Sequence, residues 1–126
     1  MKKMVLLFSH KMSEEQREDA VKNLRVEKFV EIDDEIAKIW ANIPPELMDI
    51  SDYLKPVKEF ISNNTDARDY VLIQGEPGAV VKMVHYARAK GLIPLYATTK
   101  REVKESIEDG KIKKVSLFKH VRFRRY

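Results

Sequence analysis

The chain has 126 residues, of which 44% are apolar and 35% charged, with a net charge of +4 and no cysteine. That length and apolar share suit a single domain spanning residues 1–126 around one core, and the missing cysteines exclude disulfides, thiolate zinc sites and cysteine nucleophiles. Of the 24 Lys and Arg, seven fall in Lys111–Tyr126, which has no acid; residues 1–110 keep 17 cations against 20 acids, a net −3.

Met4–Phe8 (MVLLF) is short and continuously apolar, the pattern of a strand buried on both faces. Its charged start and brief apolar run lack a small-residue cleavage site, so a strand fits better than a signal peptide. Ser13-Glu14-Glu15-Gln16 reads as a capping box opening a helix to about Leu24, with Ala20, Val21 and Leu24 inward. Lys28–Ile32 alternates as a second strand. Asp33 or Asp34 caps a helix carrying Ile36, Ile39 and Trp40, ended by Pro44-Pro45. Ser51-Asp52 opens another helix with Leu54, Val57, Phe60 and Ile61 on one face, and Asn63-Asn64 closes it, Asn being tolerant of left-handed dihedrals.

Tyr70–Ile73 (YVLI) is a further buried strand. Gln74–Gly78 turns directly into a helix, Ala79–Lys90, stopped by Gly91, and Pro94–Ala97 follows as a strand ending in Thr98-Thr99-Lys100-Arg101. This β-α-β order with short connections predicts a mainly parallel sheet with helices on both faces. Asp109-Gly110 is a strong two-residue hairpin turn between antiparallel strands at Glu102–Glu108 and Lys111–Phe118, with Phe123 as the second strand's alternative end; a short helix over 101–108 competes, because Val103 and Ile107 are four apart. Alternation in the tail places Val115, Leu117, Val121 and Phe123 on one face, and Ser116, His120, Arg122 and Arg124 on the other. No apolar stretch is long enough to span a membrane, and the expected location is the cytoplasm.

Ligands of open parallel α/β sheets sit outside the carboxyl ends of the strands, beside the switch in strand order. Three such ends are polar here: Ser9-His10-Lys11, Gln74-Gly75-Glu76-Pro77-Gly78 and Thr98-Thr99-Lys100-Arg101. The Gly-bounded turn can aim backbone N–H groups at an anion with help from the helix dipole, though it is neither a Walker loop nor a GxGxxG fingerprint. Glu76 would repel phosphate there and suits a ribose hydroxyl or a base role. Lys11 and Arg101 suit phosphate, and His10 lies just before a helix start. His120 and Arg122 form a second candidate pair, whereas His85 reads as structural or exposed. Met12, Met48 and Met83 read as core. The three histidines are isolated, with no metal-ligand spacing, no GxSxG elbow and no Ser-His-Asp set.

The segments LLFSHKMSEEQ, VLIQGEPGAVVKMVHYA, YATTKRE and VSLFKHVRFRRY resemble the small stand-alone CRISPR-associated proteins related to the CRISPR-associated Rossmann fold. The resemblance covers nearly the whole chain. It implies a Rossmann-like domain that binds cyclic oligoadenylate, typically cyclic tetra-adenylate, across the two-fold axis of a homodimer, with no cofactor, DNA or membrane partner. It also implies ring-nuclease activity that ends type III CRISPR signalling. In that reaction a ribose 2′-hydroxyl attacks the adjacent phosphate, so the protein need only hold the in-line geometry and stabilise charge. On this reading His10 is acid or base, Lys11 and Arg101 stabilise charge, and Gln74 with the Gly75–Gly78 backbone cradles the ring. Ser9, Thr98, Thr99, His120 and Arg122 are further ligand contacts. A non-cleaving sensor or sponge is the first rival. An RNA-binding module using the basic tail, with Phe118, Phe123 and Tyr126 stacking bases, is the second.

Overall fold

The computed structural model describes residues 1–126. The elements in chain order are β1 (Lys3–Leu7), α1 (Glu14–Leu24), β2 (Lys28–Glu31), α2 (Asp34–Ala41), α3 (Lys55–Asn63), β3 (Tyr70–Ile73), α4 (Pro77–Ala89), β4 (Ile93–Glu108) and β5 (Lys111–Arg125). They form a mixed α/β structure around a five-stranded sheet of order β2-β1-β3-β4-β5. The first four strands are parallel, and β5 is antiparallel to β4. No helix is long and apolar enough to cross a membrane.

The continuous apolar runs at β1 and β3 are explained by two separate clusters of buried side chains. Val5, Leu7, Val71 and Ile73 pack with residues of α2, α3 and α4. Their sequence neighbours Met4, Leu6, Phe8, Tyr70 and Leu72 pack with Ala20 of α1 and with Leu95 and Phe123. Successive side chains on a strand point to opposite faces, so each strand feeds both clusters. Each fully buried Leu or Ile contributes about 1.5–3 kcal/mol.

The local signals at α1 act as expected: Ser13 Oγ accepts from Gln16 N–H, and Gln16 Oε1 accepts from Ser13 N–H. The helix ends at Arg25, whose φ of 58° is left-handed without glycine. Several expectations need correction. Val21 and Met48 are exposed rather than inward, because only Ala20 and Leu24 of α1 lie against the sheet and Met48 sits in the α2–α3 connection. Ser51–Leu54 forms a turn and α3 begins at Lys55; its closing residue Asn64 has φ −117°, not a left-handed value, and its side-chain NH₂ donates to the Phe60 carbonyl.

The largest difference lies in the last third. The hairpin turn at Asp109-Gly110 is present, with φ of 50° and 72°, and no helix forms over 101–108. But β4 does not stop at Ala97. Tyr70, Val71 and Leu72 of β3 pair with Ile93, Pro94 and Leu95, after which β4 runs on through Thr98–Arg101 beyond the sheet's carboxyl edge. The cross-strand partner β5 lets it do so, since a ladder needs only one neighbour to satisfy alternate backbone groups. The segment from Thr98 to Lys119 is therefore a two-stranded arm, roughly 30 Å long at about 3.3 Å per residue.

A bulge at the arm's base overturns the tail alternation. Thr98 pairs with Arg122 but Thr99 pairs with His120, leaving Val121 without a partner. The extra residue shifts the parity of every side chain beyond it. His120 therefore shares a face with Phe123, their ring centroids 4.7 Å apart, while Val121 is exposed.

Candidate functional site

His10 and Lys11 are exposed just past the carboxyl end of β1. They flank a cleft of about 270 Å³ lined by Leu6, Phe8, Met12, Ile32 and Ala37, with Glu31 as its other polar wall. The Phe8 ring meets His10 edge-on at 6.4 Å between centroids. An apolar slot with an imidazole, an ammonium and a carboxylate at its mouth suits a flat heterocycle bearing an anionic group. It lies at the small end of ligand pockets, adequate for one nucleobase.

The neighbouring strand end is tied to this one, since Gln74 N–H donates to the Leu7 carbonyl at 3.1 Å. Here packing, rather than ligand binding, accounts for most of the sequence. The Gln74 carbonyl accepts from Trp40 Nε1 at 2.9 Å, and Gln74 Oε1 accepts from Ala97 N–H at 3.4 Å. A Cβ on Gly75 would lie 2.8 Å from Trp40 Nε1, so the glycine is required by the indole. Glu76 Oε1 accepts from the N–H groups of Gly78 and Ala79, capping α4. The expectation that these amides meet a phosphate is corrected: their own carboxylate already occupies them. The α1 start is likewise closed by its capping box and carries Glu14 and Glu15. The cationic side chains at this edge, not the helix N-termini, are the groups left open to an anion.

Thr98, Thr99, Lys100 and Arg101 belong to the arm. Thr98 Oγ1 accepts from Arg122 N–H and donates to the Arg122 carbonyl, stitching the bulge, and the Arg101 guanidinium donates to Ser116 Oγ at 3.0 Å. Thr98 is adjacent to the Gln74 end; Arg101 lies three residues further out. Ser9, His10, Lys11, Gln74–Gly78 and Thr98 therefore share the carboxyl edge, whereas Arg101 projects from it.

His120 does not join this edge. Its Nε2 lies 2.6 Å from Asp19 Oδ2, and its side chain is 5% exposed. The other ring nitrogen, Nδ1, is buried without a partner. Beside the pair runs a groove of about 440 Å³ lined by Asp19, Asn23, Leu24, Val121, Arg122 and Phe123. Burial pushes the Asp19 carboxyl up, but hydrogen bonds from Asn23 and His120 and the charges of His120 and Arg122 outweigh it and hold it below the ordinary value. Sequence reading missed Asp19 as a partner because 101 residues separate the two; the only local signal was a helix that carries an acid beside a small buried residue, Ala20.

The tail aromatics are also placed. Phe123 is buried. Tyr126 packs on Tyr96 at 4.9 Å, and its hydroxyl donates to the Ile73 carbonyl; Arg124 lies over the Tyr96 ring and donates to its hydroxyl. Phe118 is the most exposed of the three at 69%, against 38% for Tyr126.

Fold and edge together describe a mixed α/β protein with a cation-bearing cleft at a strand end and a projecting antiparallel arm. The chain belongs to the MJ1673 family, described as "Uncharacterized protein MJ1673 family", whose model matches residues 2–124. It is 52% identical over 126 residues to Uncharacterized protein MJ1673 of Methanocaldococcus jannaschii, a match spanning 100% of this chain and 98% of that protein. No solved structure matches.

Proposed function

We propose that the carboxyl edge binds a cyclic oligoadenylate, cyclic tetra-adenylate in the first instance, and that the protein is a metal-independent ring nuclease of type III CRISPR signalling. The carrying observation is the pairing of His10 and Lys11 with the apolar cleft beside Phe8, at the carboxyl ends of β1 and β2; the strand order reverses on the other side of β1, toward β3. In a doubly wound sheet that reversal opens the ligand crevice. The order 2-1-3-4-5 and the two clusters fed by alternate residues of β1 support a Rossmann-like domain with helices on both faces.

One adenine enters the cleft against Phe8, and Lys11 takes the neighbouring phosphate. The substrate's 2′-hydroxyl attacks that phosphate in line, the 3′,5′ bond breaks, and a 2′,3′-cyclic phosphate and a 5′-hydroxyl result. Holding that geometry supplies about 7 kcal/mol or more in favourable cases. His10 moves the proton, and Lys11 meets the charge developing on the phosphoryl oxygens; Arg101, out on the arm beside Ser116, is left off that phosphate. Ser9, the Gln74 side-chain NH₂ and the Thr99 hydroxyl contribute contacts along the edge, while the Thr98 hydroxyl stays with Arg122. Glu76 stays with α4, and His120 and Arg122 act on the arm rather than on the ring. The chemistry asks for no metal.

His10 has the Phe8 ring beside it and no hydrogen-bonded partner to orient it. That observation favours the second reading, a cytoplasmic sensor or sponge that binds the ring without cutting it. Incubation of the protein with cyclic tetra-adenylate in EDTA, followed by chromatography, decides between them. A linear product supports the nuclease, an unchanged but bound ring supports the sponge, and absence of binding sinks both. Stoichiometry completes the test: one ring per chain fits a ring held at each carboxyl edge, and one per two chains fits a ring shared across a two-fold axis.

A further inference from the structure

We infer that two copies of the chain join through the free edge of β4 in the arm, antiparallel and centred on Val103, to make a four-stranded sheet across a two-fold axis. The inference is independent of the ligand.

The free edge can be read from the backbone. Ile93 N–H donates to the Asp69 carbonyl and Ala97 N–H to Gln74 Oε1, both on the β3 side, whereas the Pro94 carbonyl accepts from Tyr126 N–H on the β5 side. Odd-numbered residues of β4 therefore aim their backbone groups away from β5. Beyond Ala97 no strand covers that side, so Thr99, Arg101, Val103, Glu105 and Ile107 present a row of free donors and acceptors. Such an edge is a template for another strand.

Self-pairing about a two-fold axis must match odd residues with odd residues. Centred on Val103, it sets Arg101 opposite the second copy's Glu105, and Glu102 opposite its Lys104; the axis repeats both pairs. Centring one residue earlier sets Lys100 against Lys104, and one residue later sets Lys104 against itself. Of these three registers only the one centred on Val103 makes every close charged pair attractive. Within each hairpin Glu102 is 3.4 Å from Lys119 and Glu105 is 3.6 Å from Lys114, so each acid comes to lie between a cation of its own copy and one of the second. Exposed Val103 meets its twin at the centre. The opposite edge behaves differently: β5 carries Lys111, Lys113, Lys114 and Lys119 with no acid, so two such edges repel. Pairing ends naturally at Ala97, whose N–H is already taken. The second copy's Asp109-Gly110 turn then reaches the carboxyl end of β3.

Sedimentation velocity on the full chain tests this. The wild type is expected to show a concentration-dependent dimer. Val103→Pro removes an outward N–H, which an edge strand tolerates, and should leave the circular dichroism spectrum unchanged while yielding monomer. Lys104→Glu faces Val115 in its own hairpin, so its effect is intermolecular: association should weaken about tenfold, and Glu102→Lys added to it should recover most of the loss. A wild type that stays monomeric at about 1 mM overturns the inference. So does a dimer that neither Val103→Pro nor Lys104→Glu weakens.

Discussion

His120 Nε2 and Asp19 Oδ2 stand 2.6 Å apart, joining the base of the arm to α1 across 101 residues of sequence. Asn23 donates to the other Asp19 oxygen, and Phe123 covers the imidazole. Asp19→Ala leaves a buried imidazole unpaired and should cost about 1–3 kcal/mol in urea denaturation.

The same pair sets a pH dependence. The Asp19 carboxyl is held below its ordinary value of 3.8 in the folded state. A depressed carboxylate contributes stability that is fully present above the unfolded value and is lost as pH falls through the folded one. Asp19→Asn should therefore flatten part of the stability loss below about pH 4, read from urea midpoints between roughly pH 6 and pH 2. Identical pH profiles for the two proteins would exclude Asp19 as a source.

Gly75→Ala drives a methyl group into the only tryptophan. Displacing the Trp40 indole or shifting the Gln74 turn should cost about 1–3 kcal/mol, and the fluorescence maximum should move to the red as Trp40 loses its burial.

Asp69 is the one buried charged side chain at the amino edge of the sheet. It accepts from the N–H groups of Lys3 and Asp66 and pairs with the Lys3 ammonium at 3.5 Å. Asp69→Ala leaves two amides without their acceptor, while the Lys3 ammonium keeps Asp66 at 2.8 Å; it should cost about 2–3 kcal/mol, visible as a lower thermal midpoint.

At the carboxyl edge, Lys11→Ala should weaken binding of cyclic tetra-adenylate about tenfold, one charge-assisted contact being lost. His10→Ala should leave the affinity near wild type and slow cleavage by about 10²-fold or more. Glu76→Gln should leave both unchanged and cost about 0.5–1 kcal/mol of stability, because that carboxylate serves the α4 cap. Isothermal titration and single-turnover assays separate the three outcomes.

Much of the fold was legible because its signals are local. The apolar runs of β1 and β3, the Ser13–Gln16 capping box and the Asp109-Gly110 turn each depend on residues within a few positions of one another. The edge was legible in part: Ser9, His10, Lys11 and Gln74 sit at adjacent strand ends, as the alternation of strands and helices implies. What failed there was the assumption that exposed polar sequence is free. Glu76, Gln74 and Thr98 spend their hydrogen bonds on the helix cap, on Trp40 and Ala97, and on the bulge.

The sequence by itself determined the mixed α/β class, the parallel order of the early strands, the hairpin and the basic character of the tail, because burial period and turn chemistry are written along the chain. Only the tertiary structure decided how far β4 runs past the sheet, that Val121 bulges, and that His120 turns inward to Asp19. The reason is physical. A strand continues as long as a partner satisfies its backbone, and one unpaired residue reverses the facing of all that follow; both depend on cross-strand register, which no local pattern carries.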